Sequence, residues 1–191
     1  LLGATFLTSC SSSEEVYEPK GNYDLGILVS NEGAFSGGTG TINYISNDYN
    51  VEESKVYKNV NGEDLGTIVQ SIGFKDEEAF IVANVANKIS VANRYTMKKI
   101  ASVESDLMNP RYITFANGKG YITNWGAGSD ATDDYVAVLD LATYNVTKKI
   151  SVVEGPEQII AKNNKLYITH KGGWGTGNSV TVIDALSDSV V

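Results

Sequence analysis

The stretch Gly120-Tyr121-Ile122-Thr123-Asn124 decides the fold, because it returns along the chain. Close copies lie at residues 79–84 and 166–170, and a weaker copy lies at residues 26–31. The copies follow one another at a spacing of roughly forty to fifty residues, a period typical of repeated structural units. Each copy is rich in β-branched and aromatic residues, as β-strands are. The sequence therefore predicts a series of repeated β units.

Three further elements repeat in phase with this strand. A strand precedes it and is joined to it by a tight, Asn- and Gly-bearing turn, and two more strands follow it. The preceding strands lie at 110–116 and 156–161, the third strands at 90–92, 136–140 and 180–184, and the fourth at 98–104 and 148–154. Four short antiparallel strands per unit are typical of a β-propeller blade. Such a blade has two apolar faces, which only neighbouring blades can cover.

We therefore predict an all-β protein, a β-propeller of four-stranded antiparallel blades, with about four blades over residues 23–191. The sequence stops within the expected last strand of a blade. An open series of blades exposes an apolar face and sheet edges, so we expect a fragment of a larger propeller. A closed four-bladed ring and a β-sandwich are the alternatives.

The first residues have the pattern of an export signal that ends in a lipobox. An apolar segment runs into Leu7-Thr8-Ser9-Cys10, which holds the only cysteine of the chain. We expect cleavage before Cys10 and acylation of its thiol, which anchors a protein to a membrane without spanning it. Residues 1–10 are then the signal tail and residues 11–22 a flexible tether. The alternative is a cysteine buried in a first strand.

Charge and composition exclude several classes of function. The net charge of −8 argues against nucleic acid, whose phosphates need a basic face. One cysteine and one histidine cannot build a Cys/His zinc site. A lone loop histidine gives no nucleophile–base pair, so we predict no catalytic residue, no cofactor and no metal. The carboxylates of Asp130, Asp133 and Asp134 are either a Ca²⁺ site or, as we favour, a solvated acidic loop.

The repeat also resembles a known family. Tyr-Ile-Thr-Asn at 121–124, Val-Ala-Val-Leu-Asp at 136–140 and Lys-Lys-Ile at 148–150 are similar to the repeat of YncE-like, surface-layer-type seven-bladed propellers. The opening Val29-Ser30-Asn31-Glu32-Gly33-Ala34-Phe35, with Gly40-Thr41-Ile42, resembles the start of Bacteroidetes propeller lipoproteins. Glu14 and Glu15, just after the cysteine, resemble the acidic tag of their surface-exported members, although a plain linker has the same composition.

Some proteins of that group are surface cobalamin-binding lipoproteins, which sit on an outer-membrane corrinoid transporter. The resemblance therefore implies a seven-bladed ring and a capture role at the surface of the outer membrane. It also implies a TonB-dependent transporter as partner and suggests a corrinoid as ligand. Contact with the membrane is expected through the lipid alone.

The candidate binding site lies where long loops follow the second strands. The loops at 31–40, 124–134 and 170–178 are long, whereas the loop at 84–87 is short. Long loops at one end of a rigid scaffold mark a binding surface. The predicted ligand-binding residues on these loops and the adjacent strand ends are Asn31, Glu32, Phe35, Asn84, Arg111, Asn124, Trp125, His170, Lys171 and Trp174.

Structural roles are open for several of these side chains. The asparagines end their strands, where Asn often makes a turn. The tryptophans can pack between blades, and Arg111 can pair with a neighbouring carboxylate. The leading hypothesis is a lipid-anchored module that captures a large nutrient, best guess cobalamin, for an outer-membrane transporter. The alternatives are a propeller enzyme, such as a lactonase or lyase, and a protein-interaction scaffold of the envelope.

Overall fold

Four antiparallel sheets make up the part of the chain that the computed structural model describes, residues 16–191. Sheet 1 contains β1 (Gly26–Asn31), β2 (Thr41–Ser46) and β3 (Glu52–Glu53). Sheet 2 contains β4 (Val69–Lys75), β5 (Glu78–Ala83), β6 (Lys88–Asn93) and β7 (Lys99–Val103). Sheet 3 contains β8 (Pro110–Ala116), β9 (Lys119–Asn124), β10 (Tyr135–Asp140) and β11 (Val146–Ser151). Sheet 4 contains β12 (Pro156–Lys162), β13 (Lys165–His170), β14 (Val180–Asp184) and β15 (Ser189–Val190).

The sheets stack face to face, as blades do. Along β5, Ala79 and Ile81 belong to a core shared with sheet 1, whereas Phe80 and Val82 belong to a core shared with sheet 3. A third core lies between sheets 3 and 4. Side chains alternate between the two faces of a strand, so a strand buried on both faces reads as an uninterrupted apolar run. The predicted all-β, propeller-type fold is confirmed.

The first strands of the blades lie side by side along one line. Strand β4 contacts β8, and β8 contacts β12, so these strands form the inner edge of the stack. The second strand of one sheet also contacts the first strand of the next, as β5 does β8 and β9 does β12. In the same way β1 contacts β4, which gives β1 the position of a second strand. Sheet 1 therefore has three strands within the described residues, and its inner strand position is not filled by residues 16–25.

The residues before β1 instead pack beside sheet 2. The N–H group of Tyr23 donates to the carbonyl oxygen of Tyr95, in the turn after β6, at 2.9 Å. Lys20 pairs with Glu77 at 2.8 Å. The predicted tether therefore contacts the domain from Lys20 onward. Cys10, the signal tail and the acidic pair after it lie outside the described residues.

Tight turns join the first and second strands of sheets 3 and 4. Asn117-Gly118 and Asn163-Asn164 have positive φ angles, as a type I′ hairpin requires, and the two predicted tight turns are confirmed. Pro110 pairs with Asn124 at the other end of the β8–β9 hairpin. The loops after the second strands consequently emerge at the end opposite to these turns.

One short helix interrupts the β pattern. The sequence predicted no helical periodicity, but α1 (Val56–Asn61) follows β3 and buries Val56 and Tyr57 in the core of sheets 1 and 2. It ends at Gly62, which has a φ of 71°. A helix of six residues is too short to show a 3.6-residue period. No helix in residues 16–191 has the length and apolarity needed to cross a bilayer.

Candidate functional site

A cavity of about 400 Å³ opens at the end of the sheets where the second strands terminate. Seven of the ten predicted ligand-binding residues line it, and together they come from all four sheets and their loops. They are Glu32, Phe35, Asn84, Arg111, Trp125, Lys171 and Trp174. The volume lies in the range of cavities that hold small-molecule ligands.

The two tryptophans form one wall of the cavity. Their ring centroids are 5.8 Å apart in an edge-to-face arrangement. Trp125 is 8% exposed, and its indole N–H donates to the carbonyl oxygen of Pro156 in sheet 4. Trp174 is 76% exposed, although its indole N–H donates to Gly128 at 3.2 Å. Trp125 is therefore a fixed part of the junction between blades, and Trp174 presents an open aromatic surface to the cavity.

Two cations lie against the Trp125 ring. The guanidinium carbon of Arg111 is 4.2 Å from the ring centroid, and the Lys171 ammonium nitrogen is 5.1 Å from it. Arg111 also makes a bidentate pair with Glu157, with contacts of 2.7 and 3.1 Å. Such planar pairs fix geometry as well as adding energy. Arg111 thus lines the cavity and also pairs with a neighbouring carboxylate, the alternative raised by the sequence.

Amide side chains also line the cavity. Asn84 donates from Nδ2 to the carbonyl oxygen of Pro110 at 3.1 Å, and Asn109 donates from Nδ2 to that of Gly126 at 2.8 Å. Gln70 lies 3.4 Å from the hydroxyl group of Tyr112. Each of these three residues lines the cavity.

Sequence reasoning missed Asn109 and Gln70, although a signal for both was present. Gln70, Arg111 and Glu157 each follow the first residue of an inner strand, and Arg111 was predicted to bind ligand from that position. Asn109 directly precedes the proline that begins β8, at the same mouth. Comparison of equivalent repeat positions identifies Gln70, and the place of Asn109 directly before an inner strand identifies Asn109.

Three predicted ligand-binding residues do not line the cavity. Asn31 donates to the carbonyl oxygen of Val29 within its own strand, at 3.3 Å. Asn124 is fully buried and holds the backbone, since its Oδ1 accepts from Met108 and its Nδ2 donates to Ile122. For these two residues the structure places the asparagine in a backbone-bonding role, the alternative that the sequence left open.

His170 is the third of them, and it is 5% exposed. Its Nδ1 lies 3.2 Å from the carbonyl oxygen of Glu154, which can only accept, so Nδ1 carries the proton. Its Nε2 lies 2.9 Å from the Thr181 hydroxyl group, from which it accepts. Burial lowers the pKa of the ring. His170 is therefore a neutral histidine that joins strands, and its side chain is not at the cavity.

Nearby groups of the protein donate hydrogen bonds to all three carboxylates of the loop before β10. Asp130 accepts from Thr132, and Asp133 accepts from the N–H of Ala127. Asp134 is 2% exposed and accepts from the N–H of Gly155. In the described part of the chain, no three acidic, histidine or cysteine side chains converge as metal ligands do. Hydrogen bonds within the loop, and from Gly155 to Asp134, thus account for the contacts of these three carboxylates.

Solved structures with a similar fold include two computationally designed proteins and an enzyme. The designed Ika8 protein is 13% identical with a TM-score of 0.59, and the match covers 88% of this chain and 45% of that one. The hydrazine synthase of Kuenenia stuttgartiensis is 13% identical with a TM-score of 0.66, covering 90% and 46%. The designed Ika4 protein is 18% identical with a TM-score of 0.54, covering 81% and 83%. This chain spans about half the length of the first two, and identities this low show the fold alone.

Curated proteins give no match to this chain. Residues 25–191 match the model of a family described as a domain of unknown function, DUF5074. That range includes every strand of the four sheets and every residue that lines the cavity. The chain therefore belongs to the DUF5074 family, and its domain is built of β-propeller blades.

Proposed function

We propose that this protein is a lipid-anchored binding propeller of the cell surface, which captures a large nutrient in the cavity at the mouth of its blades. It then delivers that nutrient to an outer-membrane transporter. Cobalamin is the best candidate for the nutrient. The observation that carries the proposal is the convergence of aromatic, amide and charged side chains from four sheets on one cavity of about 400 Å³.

The chemistry of the cavity suits a large ligand that has an apolar face and polar edges. Trp174 and Phe35 are 76% and 73% exposed and both line the cavity, so they offer it apolar aromatic surface. Asn84 and Asn109 line the same cavity and carry amide groups. Aromatic anchors combined with a few fixed polar groups are typical of binding sites for small molecules and cofactors.

The choice of cobalamin depends on the resemblance to Bacteroidetes surface lipoproteins. Glu32 and Phe35, from the opening motif that carries this resemblance, line the cavity together with Trp174. A corrinoid has flat apolar faces and amide edges. The proposed lipid anchor rests on the lipobox that ends at Cys10, and the proposed TonB-dependent transporter rests on the resemblance.

Titration with cyanocobalamin tests the proposal. We expect a stoichiometric change in the visible absorption of the corrin ring and in tryptophan fluorescence. Trp174→Ala removes the exposed aromatic surface and is expected to weaken binding about tenfold to thirtyfold, as the loss of an aromatic anchor typically does. Tyr49→Ala is a suitable control, since Tyr49 is exposed in the β2–β3 turn and does not line the cavity.

Each outcome of the titration bears on a different part of the proposal. If cyanocobalamin and related corrinoids give no change in either signal, cobalamin is not the ligand. If they bind and Trp174→Ala has the same affinity as the unchanged protein, binding takes place elsewhere on the molecule. Recovery of most of the affinity in Trp174→Phe supports ring stacking as the reason for the loss.

A further inference from the structure

We infer that the cavity selects ligands whose edge carries several hydrogen-bond donors, either amide N–H or hydroxyl O–H groups. The inference rests on the proposed function, since it takes the cavity to be a binding site, and it adds the chemistry of the ligand edge. The observation behind it is the orientation of two asparagine side chains, Asn84 and Asn109.

The orientation of both amides follows from their partners. Asn84 faces the carbonyl oxygen of Pro110, and Asn109 faces that of Gly126. A backbone carbonyl oxygen can only accept a hydrogen bond, so the side-chain atom next to it is the amide nitrogen in each case. The exchange of oxygen and nitrogen that often leaves an amide ambiguous is therefore excluded here.

Their oxygens remain available as acceptors. The Oδ1 atoms of Asn84 and Asn109 accept no hydrogen bond from any group in residues 16–191, while the nitrogens are bonded. Neither oxygen is sealed in the interior, since Ser102 Oγ is the one buried side-chain polar atom without a partner in that range. Because both residues line the cavity, their oxygens supply it with acceptors.

Of the three charged residues that line the cavity, Glu32, Arg111 and Lys171, the first also favours donors on the ligand. The Glu32 carboxylate, which also lines the cavity, can only accept. Arg111 directs two of its donor groups at Glu157, and Lys171 lies over Trp125 on the aromatic wall. A carboxylate on the ligand edge that faces Glu32 and the two amide oxygens meets repulsion, whereas an N–H or O–H group forms a bond.

Two kinds of large ligand carry such an edge. A corrinoid has primary amides around its ring, and an oligosaccharide has hydroxyl groups around each sugar, and both have faces that stack on tryptophan. The shared chemistry is a row of donors beside an apolar face. The experiment has one arm for each source.

In the first arm, cyanocobalamin is compared with a derivative in which a side-chain amide is hydrolysed to a carboxylate. We expect the amide form to bind about tenfold more tightly to the unchanged protein, the difference expected when a hydrogen bond becomes a repulsive contact. Asn109→Gly removes one acceptor at a backbone φ of 49°, which glycine adopts freely. In this variant the amide form should bind about threefold to tenfold less tightly, and the preference for it should shrink.

Asn117→Gly is the matched control. It makes the same substitution at a φ of 48° in the β8–β9 turn, at the opposite end of the blade. We expect it to bind both corrinoids as the unchanged protein does. In the second arm, maltohexaose is compared with its fully O-methylated form, which keeps the acceptors and loses the donors. Tighter binding of the unmethylated sugar, weakened by Asn109→Gly, assigns the donor edge to hydroxyl groups.

The outcomes separate this inference from the proposed function. Suppose that cyanocobalamin or maltohexaose binds. If its carboxylate or O-methylated form binds equally well, or if Asn109→Gly binds the unmodified compound as tightly as the unchanged protein does, the inference is wrong while the capture function stands. If a sugar binds with the expected preference and corrinoids do not, the inference stands and cobalamin is replaced as ligand. If none of the four compounds binds, the proposed function and the inference both fail.

Discussion

At the scale of single residues, Asp134 has a protonation state set by its surroundings. It is 2% exposed, and burial, with a further effect of the nearby Asp133 and Glu154 carboxylates, raises its pKa to about 6 from the ordinary value of 3.8. The unfolded chain releases this proton at a lower pH than the folded chain. Between the pKa of Asp134 in the unfolded chain and its pKa in the folded chain, the folded state binds more protons. The free energy of unfolding therefore falls as the pH rises from about 4 to about 6.

Asp134→Asn tests this assignment, because the amide keeps an acceptor for the Gly155 N–H and cannot ionise. Relative to the unchanged protein, the free energy of unfolding of the variant should rise by about 2 kcal/mol as the pH increases across this interval. Urea denaturation at a series of pH values measures the difference. A difference that stays constant with pH contradicts the raised pKa.

Asp130→Asn is the control with the opposite sign. Hydrogen bonds from Thr132 lower the pKa of the Asp130 carboxyl group, so its ionised form stabilises the folded state. That contribution is present above the pKa that Asp130 has in the unfolded chain. It is lost as the pH falls through the lower pKa that Asp130 has in the folded protein. Asp130→Asn should therefore be less stable than the unchanged protein at neutral pH, and the difference should disappear in acid.

Residue type and position in the repeat were enough to predict some of the residues that line the cavity, but not all of them. Arg111, at the start of β8, and Trp174, in the loop after β13, are rare residue types, and the sequence was enough to place them at the mouth. His170 and Asn124 stand at equivalent strand ends, yet their side chains bond to nearby strands and backbone. The direction of a side chain at a strand end depends on local backbone geometry, which repeat spacing does not reveal.

At the scale of elements, sheets 2 and 3 approach each other closely because β4 carries a glycine. A Cβ atom at Gly73 would lie 2.6 Å from Cγ2 of Ile113 on β8. No Cβ contact is normally that short, and the methyl group belongs to a branched side chain with little freedom. The inner strands of these two blades therefore pack at their observed distance only with glycine at this position.

Gly73→Ala should destabilise the protein by about 1–3 kcal/mol, the usual effect of overfilling a packed core. Gly120→Ala, on β9, is the comparison, since its Cβ would lie 3.3 Å from the nearest atom, in Leu139. Small shifts accommodate that distance, and the smaller entropy of the unfolded alanine chain offsets part of the strain. Urea denaturation of both variants measures the effect, and an equal loss of stability at both positions contradicts the packing argument.

Strands that repeat along the chain could be predicted from the sequence, whereas elements that occur in only one unit could not. The β8–β9 and β12–β13 hairpins and their turns follow from copies of one pattern. Helix α1 and the three-stranded sheet 1 have no counterpart in the other units. Residues before β1 bond to the turn at Tyr95, a tertiary contact that local sequence does not encode.

At the scale of the whole molecule, the stack of blades has two outward faces. On sheet 4, Leu166 and Ile168 of β13 are buried toward sheet 3, and the alternate residue Tyr167 points away from them. Tyr167 pairs across the strands with Ile160 and Val182, and residues paired in this way share a face. Ile160 and Tyr167 are 61% and 38% exposed, so this face is apolar and open.

Sheet 1, at the other side of the stack, also has exposed apolar side chains on its outward face. Ile27 and Val29, two residues apart on β1, are exposed, while Leu28 between them packs against the core. Apolar side chains in such rows favour association with another protein surface. The net charge of −8 opposes association only weakly at physiological salt, where the Debye length is about 8 Å.

We therefore predict that residues 16–191 as a separate polypeptide associate as their concentration rises, and that Ile160→Lys combined with Tyr167→Lys reduces this association. A charge at either position cannot be buried without a large desolvation penalty. Thr147→Lys combined with Ser151→Lys is the control, because it adds the same two charges at exposed positions of β11. Sedimentation velocity over a range of concentrations measures the effect. If the double variant and the control associate to the same extent, the outer face of sheet 4 is not the surface through which the molecules meet.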